Sequence, residues 1–575
     1  MSIDITVRIG GQAGQGMQSI GSIMSKVFTR HGYYVFTNQD VESRIRGGHS
    51  FVQVRIKNEP VNSIADNVDI LIALDKSVID QDLSDLAEDG VMIFDGENTD
   101  FRSDNPNHLS IPMEKLAIEA GKNKIMVNAV ATGAAFALME YMVEPLLDRL
   151  AEEFERKGSD IVDKNRSSAQ AGFHFVRDNF QGEHPYKLPS TPYKGKKLLI
   201  NGSEAMALGA ICSGLKFYSG YPMSPSTPVM EFIASKAKDY NIVLEPAEDE
   251  IAAINMIIGA SFAGVRAMTA TSGGGFCLMA EGLGLAGMTE TPIVVIIAQR
   301  AGPATGLPTR TEQADLSFVI NVSHGEFPRA VFAPGNAEQA FYIMGKAFNI
   351  ADKYQIPVIV LGDQHLNDSY FTVDDLDLGQ IQIDRGEILN DEMIQDAENY
   401  KRYSLNGSGI SPRILPGLTR AVVYADSDEH TERGHITESA LIRKQMMEKR
   451  MIKIDGIRQE MGLPEIYPNG KPDVVLLGWG STCGAMREAT DHLNNDGLIT
   501  QMIHFKEIFP FPSMDFLREN LIDAKVFAVE CNYTGQFANL FSSETGIAVN
   551  QKILRYDGRP ISSNEIVSKV RDYIH

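Results

Sequence analysis

The run Pro292-Ile-Val-Val-Ile-Ile-Ala298 constrains the fold more than any other stretch. An unbroken apolar strand has no face to offer water, so it suits a parallel sheet covered by helices on both sides. It leads into Gln299-Arg300-Ala301-Gly302-Pro303. Such sheets bind ligands just outside the carboxyl ends of their strands, and a planar guanidinium placed there suits a carboxylate. The rest of the chain alternates strand-like and helix-like stretches, so the expected class is α/β.

With 575 residues, 43% of them hydrophobic, the chain can bury a large core. At ~100–200 residues per domain, three domains are expected. Lys plus Arg is 53 and Asp plus Glu is 75, a net charge of −22. An acidic surface repels nucleic acid and anionic membranes, so neither is an expected partner. Cys212, Cys277, Cys483 and Cys531 contain no Cys-x-x-Cys pair. A ferredoxin-type cluster or zinc ribbon held by this chain alone is therefore not expected. Scattered thiols and an N-terminus without a signal-like pattern fit a cytoplasmic location.

A first unit, 1–180, opens with a strand at 4–9 and the turn Gly10-Gly11-Gln12-Ala13-Gly14-Gln15-Gly16 before the helix Met17 to His31. That turn suits either phosphate cradling or close strand-to-helix packing. An Ala- and Gly-rich helix, Asn128 to Met142, should pack against a sheet or another subunit, and a charged helix, Leu147 to Lys157, should close the unit. Residues 181–196 are proline-rich and read as a linker. A second domain is expected over 197–455 and a third over 456–575, with a basic Met-rich helix, Glu438 to Arg458, at their junction. Between Asp428 and His435, the two histidines lie five apart, which is not a zincin spacing.

Three further stretches of the middle domain carry chemistry. Gly220-Tyr221-Pro222-Met223-Ser224-Pro225-Ser226-Thr227-Pro228 is a proline-stiffened loop that presents hydroxyl groups. Glu248-Asp249-Glu250 enters a helix of Ala, Ile, Gly and Met that runs to Gly264; a β-type run and the glycine turn Ser272-Gly273-Gly274-Gly275 follow. An acid that leaves water at such a helix disfavours its charged form, while the helix N-terminus favours the anion. The stiff polar loop Gly306 to Leu316 contains Arg310, which could face a ligand or pair with Glu312 or Asp315.

Taken together these motifs resemble the α subunit of a 2-oxoacid:ferredoxin oxidoreductase with a γ domain fused at its N-terminus, most like the 2-oxoglutarate type. The γ resemblance rests on Gly10 to Gly16 and Arg46-Gly47-Gly48. The resemblance to a thiamine-diphosphate pyrimidine-binding domain rests on Tyr221 to Thr227, the Glu250 helix, Thr269 to Gly275 and Gln299-Arg300. The remainder resembles a transketolase C-terminal-like domain. The family decarboxylates a 2-oxoacid on thiamine diphosphate, passes electrons through iron–sulfur clusters to ferredoxin and acylates coenzyme A.

The resemblance implies that Glu250 is the acid on the aminopyrimidine, favouring the imino form that takes the thiazolium C2 proton, with Glu248 as its competitor. It implies further that Arg300 holds the 1-carboxylate, that Ser224 faces the 2-oxo group, and that Tyr221, Pro222, Ser224, Ser272 and Gly273 line the cofactor. Arg310 is the candidate for the second carboxylate of 2-oxoglutarate. Two departures stand out. Pyruvate enzymes carry threonine at Ser224, and fused pyruvate enzymes carry cluster cysteines and a Gly-Asp-Gly…Asn motif that are missing here. A β subunit is therefore expected to supply the diphosphate and magnesium site and the 4Fe–4S cluster, in an (αβ)2 dimer of heterodimers.

Overall fold

The computed structural model describes residues 3–43, 47–182, 186–189, 195–514, 521 and 523–574. Arg46 of the Arg-Gly-Gly motif and most of the expected linker's prolines lie outside the described residues. The chain divides into two compact units. The first comprises 1–200, 369–375 and 562–564, and the second comprises 201–368, 376–561 and 565–575.

An eight-stranded mixed sheet organises the first unit. Its order is His108–Ser110, Leu86–Phe94, Val68–Ala73, Asp4–Ala13, Gly47–Lys57, Tyr34–Asp40, Tyr370–Asp374 and Lys197–Asn201. The glycine turn here serves packing at several points. A Cβ on Gly10 would lie 2.6 Å from Val78 Cγ1, and Gly16, at φ 83°, would collide with Asn128. Gly14, at φ 93°, faces open space.

The Ala/Gly helix Val127–Leu138 packs against the helix Ser159–Asn179. A Cβ on Gly133 would strike the Ala169 carbonyl, and one on Gly172 would strike the Val130 carbonyl. Small residues therefore let two backbones touch. The charged helix, observed as Glu144–Phe154, does not close the unit; the 21-residue helix Ser159–Asn179 does. That helix has little apolar periodicity because much of its buried face is Asn, Ser, Ala and Gly.

The second unit contains two sheets. The larger runs Glu507–Phe509, Ala330–Phe332, Pro357–Asp363, Ile293–Gln299, Arg266–Thr271, Leu215–Gly220 and Val243–Pro246. All its pairings are parallel except that of Glu507–Phe509 with Ala330–Phe332. Every residue of Ile293–Gln299 is buried, as an all-apolar central strand requires. The smaller sheet runs Glu465–Tyr467, Thr500–Phe505, Val474–Trp479, Lys525–Glu530 and Gln551–Leu554. One apolar core spans both sheets, from Ile257 and Val295 to Trp479 and Phe505.

The expected single helix 438–458 is two helices, Ala440–Met451 and Lys453–Glu460. The expected turn 272–275 is the start of a short helix, Gly273–Leu278, whose first residues have no side chain to obstruct it. Among the described residues, no helix is long and apolar enough to cross a membrane.

Candidate active site

The larger sheet fixes where a ligand could sit. From the strand Leu215–Gly220 the chain goes to one neighbour, Val243–Pro246, and then back to the other, Arg266–Thr271. Leu215–Gly220 is therefore a switch point, and the carboxyl ends around it form the crevice expected of such sheets. The loop 221–226 leaves this strand, Ser272 and Gly273 follow Arg266–Thr271, and Arg300 follows Ile293–Gln299. The helix Glu250–Phe262 begins soon after Val243–Pro246.

The three acids at that helix divide their roles by burial. Asp249 is the N-cap, and its side chain accepts from the Ala252 N–H at 2.7 Å. Glu248 is exposed. Glu250 is only 2% exposed, and its Oε1 accepts from Thr271 Oγ1 at a long 3.4 Å. A Cβ on Gly275 would overlap both Glu250 Oε1 and Thr271 Oγ1. The glycine helix thus keeps room beside a buried carboxyl group.

The hydroxyl loop is tied to its neighbours. Ser272 is fully buried and donates to Met223 Sδ at 3.2 Å. Tyr221, Pro222 and Ser224 are exposed. Arg300 Nη1 donates to the Ser224 main-chain oxygen at 2.7 Å, so one guanidinium edge is spent on positioning the loop. Burial lowers the Arg300 pKa, and nearby Asp315 opposes that shift.

The sequence offers Asp315 only as a possible partner of Arg310. Its carboxylate abuts Gly273, where an added Cβ would lie 2.5 Å from Oδ2, and burial pushes its pKa up to about 6. The loop 306–316 is anchored rather than free. Gln313 is fully buried, with Nε2 donating to the Trp479 carbonyl and Oε1 accepting from the Cys531 N–H, both at 3.0 Å. Arg310 is half-buried, and burial together with neighbouring Arg559 lowers its pKa to about 10. Two cations therefore share one region of the second unit.

Tyr221, Pro222, Ser224, Ser272, Gly273, Glu250 and Arg300 thus meet at adjacent strand ends. Met223, Thr271, Gly275 and Asp315 join them as contacts that motif reading did not single out. The histidines of 428–435 have packing roles: buried His430 packs tilted against Tyr403 with ring centroids 4.0 Å apart, and His435 packs tilted against Tyr424 at 4.5 Å.

The sequence has whole-length relatives. The 2-oxoacid:ferredoxin oxidoreductase subunit alpha of Saccharolobus solfataricus is 33% identical, over 99% of this chain and 97% of that protein. The chain belongs to the 2-oxoacid:ferredoxin oxidoreductase α-subunit family. The domain family described as pyruvate flavodoxin/ferredoxin oxidoreductase, thiamine diphosphate-binding, matches residues 208–449. The family described as pyruvate ferredoxin/flavodoxin oxidoreductase matches residues 6–175. The 2-oxoglutarate oxidoreductase subunit KorA of Mycobacterium tuberculosis is 27% identical over 99% of this chain and 91% of that protein. Among solved structures, a 2-oxoglutarate:ferredoxin oxidoreductase from Magnetococcus marinus, with 2-oxoglutarate, coenzyme A and succinyl-CoA bound, covers 100% of both chains with a TM-score of 0.93 at 31% identity.

Proposed function

We propose that this chain is the γα-fused subunit of a 2-oxoglutarate:ferredoxin oxidoreductase. It would convert 2-oxoglutarate and coenzyme A to succinyl-CoA and CO2 while reducing ferredoxin. In this reading 1–180 is the γ-type domain, 181–196 a linker, 197–455 the pyrimidine-binding domain and 456–575 the transketolase C-terminal-like domain. The observation that carries the reading is the buried Glu250 carboxyl group, held open by Gly275 and facing the same strand ends as Arg300 and the Ser224 loop. The choice of 2-oxoglutarate is supported by the whole-length likeness to the Magnetococcus marinus enzyme.

The residues present fit thiamine diphosphate at its ring end. Among the described residues Glu250 has a single long hydrogen bond from a side chain, which leaves acceptor capacity at a buried carboxyl group. Gly275 keeps space beside that carboxyl group that a side chain would fill. Glu250 would hold a proton at a carboxyl oxygen against the aminopyrimidine, with Tyr221, Pro222, Ser224, Ser272 and Gly273 lining the ring. When bound, the cofactor supplies the electron sink for decarboxylation. The remaining donors of Arg300 would take the substrate's 1-carboxylate bidentately, and Arg310 would take its distal carboxylate. Ser224 would donate toward the 2-oxo group.

A β subunit would carry the diphosphate and magnesium site and the 4Fe–4S cluster, in an (αβ)2 assembly located in the cytoplasm. The test is substrate profiling of the αβ complex with coenzyme A and a viologen acceptor. Turnover of 2-oxoglutarate well above that of pyruvate, branched-chain 2-oxoacids and indolepyruvate is expected. Preference for another 2-oxoacid would reassign the substrate, and full activity of the single chain would end the two-subunit reading.

A further inference from the structure

We propose that Glu465, Cys483 and His504 form a zinc site at the carboxyl ends of the smaller sheet, apart from the thiamine chemistry. One potential ligand atom from each of these side chains lies within 4.8 Å of the others. Backbone register brings the first and last together: Glu465 is the antiparallel partner of His504, and His504 is also the parallel partner of Gly478. Cys483 begins the helix that follows the turn Gly480–Thr482.

The second observation is an orphaned lone pair. His504 is fully buried, and its Nε2–H donates to the Gly480 carbonyl at 2.9 Å. That bond fixes the tautomer and leaves Nδ1 as an acceptor, and among the described residues Nδ1 has no hydrogen-bond partner. A ring nitrogen oriented by a backbone carbonyl on its far side is how metal-binding histidines are held. The thiol is also sealed in: Cys483 is 5% exposed, and a Cβ on Gly335 would lie 2.6 Å from Cys483 Cβ and 2.8 Å from His504 Cε1.

One sulfur, one imidazole and one carboxylate suit zinc, a borderline-soft ion, better than magnesium or calcium. Glu465 is part-exposed, so a water can complete a tetrahedral set. Zinc bonds of ~2.0–2.3 Å place ligand atoms about 3.5 Å apart, inside the 4.8 Å limit seen here, so the side chains need draw in by no more than about an ångström. Glu465 has the freedom to do so. Its present partners are Arg487 on Oε1 and Gln339 on Oε2, the latter at 3.3 Å, and one oxygen must exchange its partner for the ion. Binding would tie the strand Glu465–Tyr467, the strand Thr500–Phe505 and the helix Cys483–Asn495 into one rigid corner.

The experiment uses the purified full chain, stripped with chelator and then titrated with Zn2+ and, separately, Co2+. One Zn2+ per chain is expected, together with a thiolate-to-cobalt charge-transfer band. That band should be lost in Cys483→Ser and kept in Cys277→Ser. Glu465→Gln, a change at a part-exposed site, should weaken Zn2+ by about tenfold or more. Absence of saturable Zn2+ binding, or equally tight binding by the parent and Glu465→Gln, would overturn the site even if Cys483→Ser does not fold. The readout is metal content, independent of turnover and of the substrate assignment.

Discussion

Arg300 and Ser224 are joined by a 2.7 Å hydrogen bond from guanidinium Nη1 to main-chain oxygen, across 76 positions of sequence. The bond links the loops that follow two different parallel strands of one sheet. It makes Arg300 both a positioning group for the hydroxyl loop and, in the proposed function, the anchor of the substrate carboxylate.

Arg300→Ala should therefore depress turnover of every 2-oxoacid by the αβ complex. Loss of a charge-assisted bidentate contact, with the loop released as well, corresponds to about 3 kcal/mol, or roughly a hundredfold or more in kcat/KM. Arg300→Lys keeps the charge without the fork and should recover only part of the loss. Equal kcat/KM for the alanine variant and the parent would remove Arg300 from the site.

The proposed role of Arg310 is to separate substrates instead. If it binds the distal carboxylate, Arg310→Ala should lower kcat/KM for 2-oxoglutarate by about tenfold or more and leave pyruvate nearly unchanged. Neighbouring Arg559 retains some positive charge in the region, so the loss should be smaller than at Arg300. Equal losses on both substrates would exclude the distal-carboxylate role.

Asp315 gives a pH signature. Burial raises its folded pKa from 3.8 to about 6, so the folded chain prefers the protonated acid. Its stabilising contribution is fully present below about pH 4 and is lost as pH rises through 6. Asp315→Asn is permanently neutral. It should be more stable than the parent above pH 6, on the order of 2 kcal/mol after screening, and equal to it near pH 4. Urea midpoints of the ligand-free chain across that range measure the difference.

The central apolar strand, the proline loop, the acid-led helix and the arginine after Ile293–Gln299 were legible because each depends on local periodicity or local stiffness. The choice of Glu250 over Glu248 came from the family resemblance and not from local pattern, because acids two positions apart at a helix start differ only in what tertiary packing places beside them. The surroundings of Asp315 and His504 were hidden for a related reason: a loop lying against Gly273 decides the first, and register between strands distant in sequence decides the second. The helix Ser159–Asn179 was missed because small and polar residues can bury a helix face when backbones touch, and hydrophobic periodicity does not register that. The junction reads as one basic, Met-rich helix, and the sequence does not show that Lys449 and Lys453 are buried against Glu290.

That triad makes its own prediction. Glu290 is 1% exposed, and its two oxygens accept from Lys449 at 2.7 Å and from Lys453 at 2.5 Å. The lysines hold the Glu290 pKa far below the usual carboxylate range, while burial pushes Lys453 down to about 7. Glu290→Gln would take the counter-charge from the buried Lys449 and force Lys453 toward its neutral form, and should cost about 3–5 kcal/mol, read as a lower urea midpoint at neutral pH. Adding Lys453→Met removes one of those buried amines and should recover part of the loss.

Gly275 is the last test, because it asks whether space beside Glu250 is what the glycine helix provides. An alanine methyl there would overlap both Glu250 Oε1 and Thr271 Oγ1, so the carboxyl group must shift or the helix must move. Overpacking of this kind costs about 1–3 kcal/mol in stability. Gly275→Ala should weaken thiamine diphosphate binding by the αβ complex more than it lowers the melting temperature of the chain. Gly274→Ala is the control, because its Cβ would meet only the Ala304 carbonyl, at 3.8 Å. If the two variants bind the cofactor equally well, the room beside Glu250 is not what the ring requires.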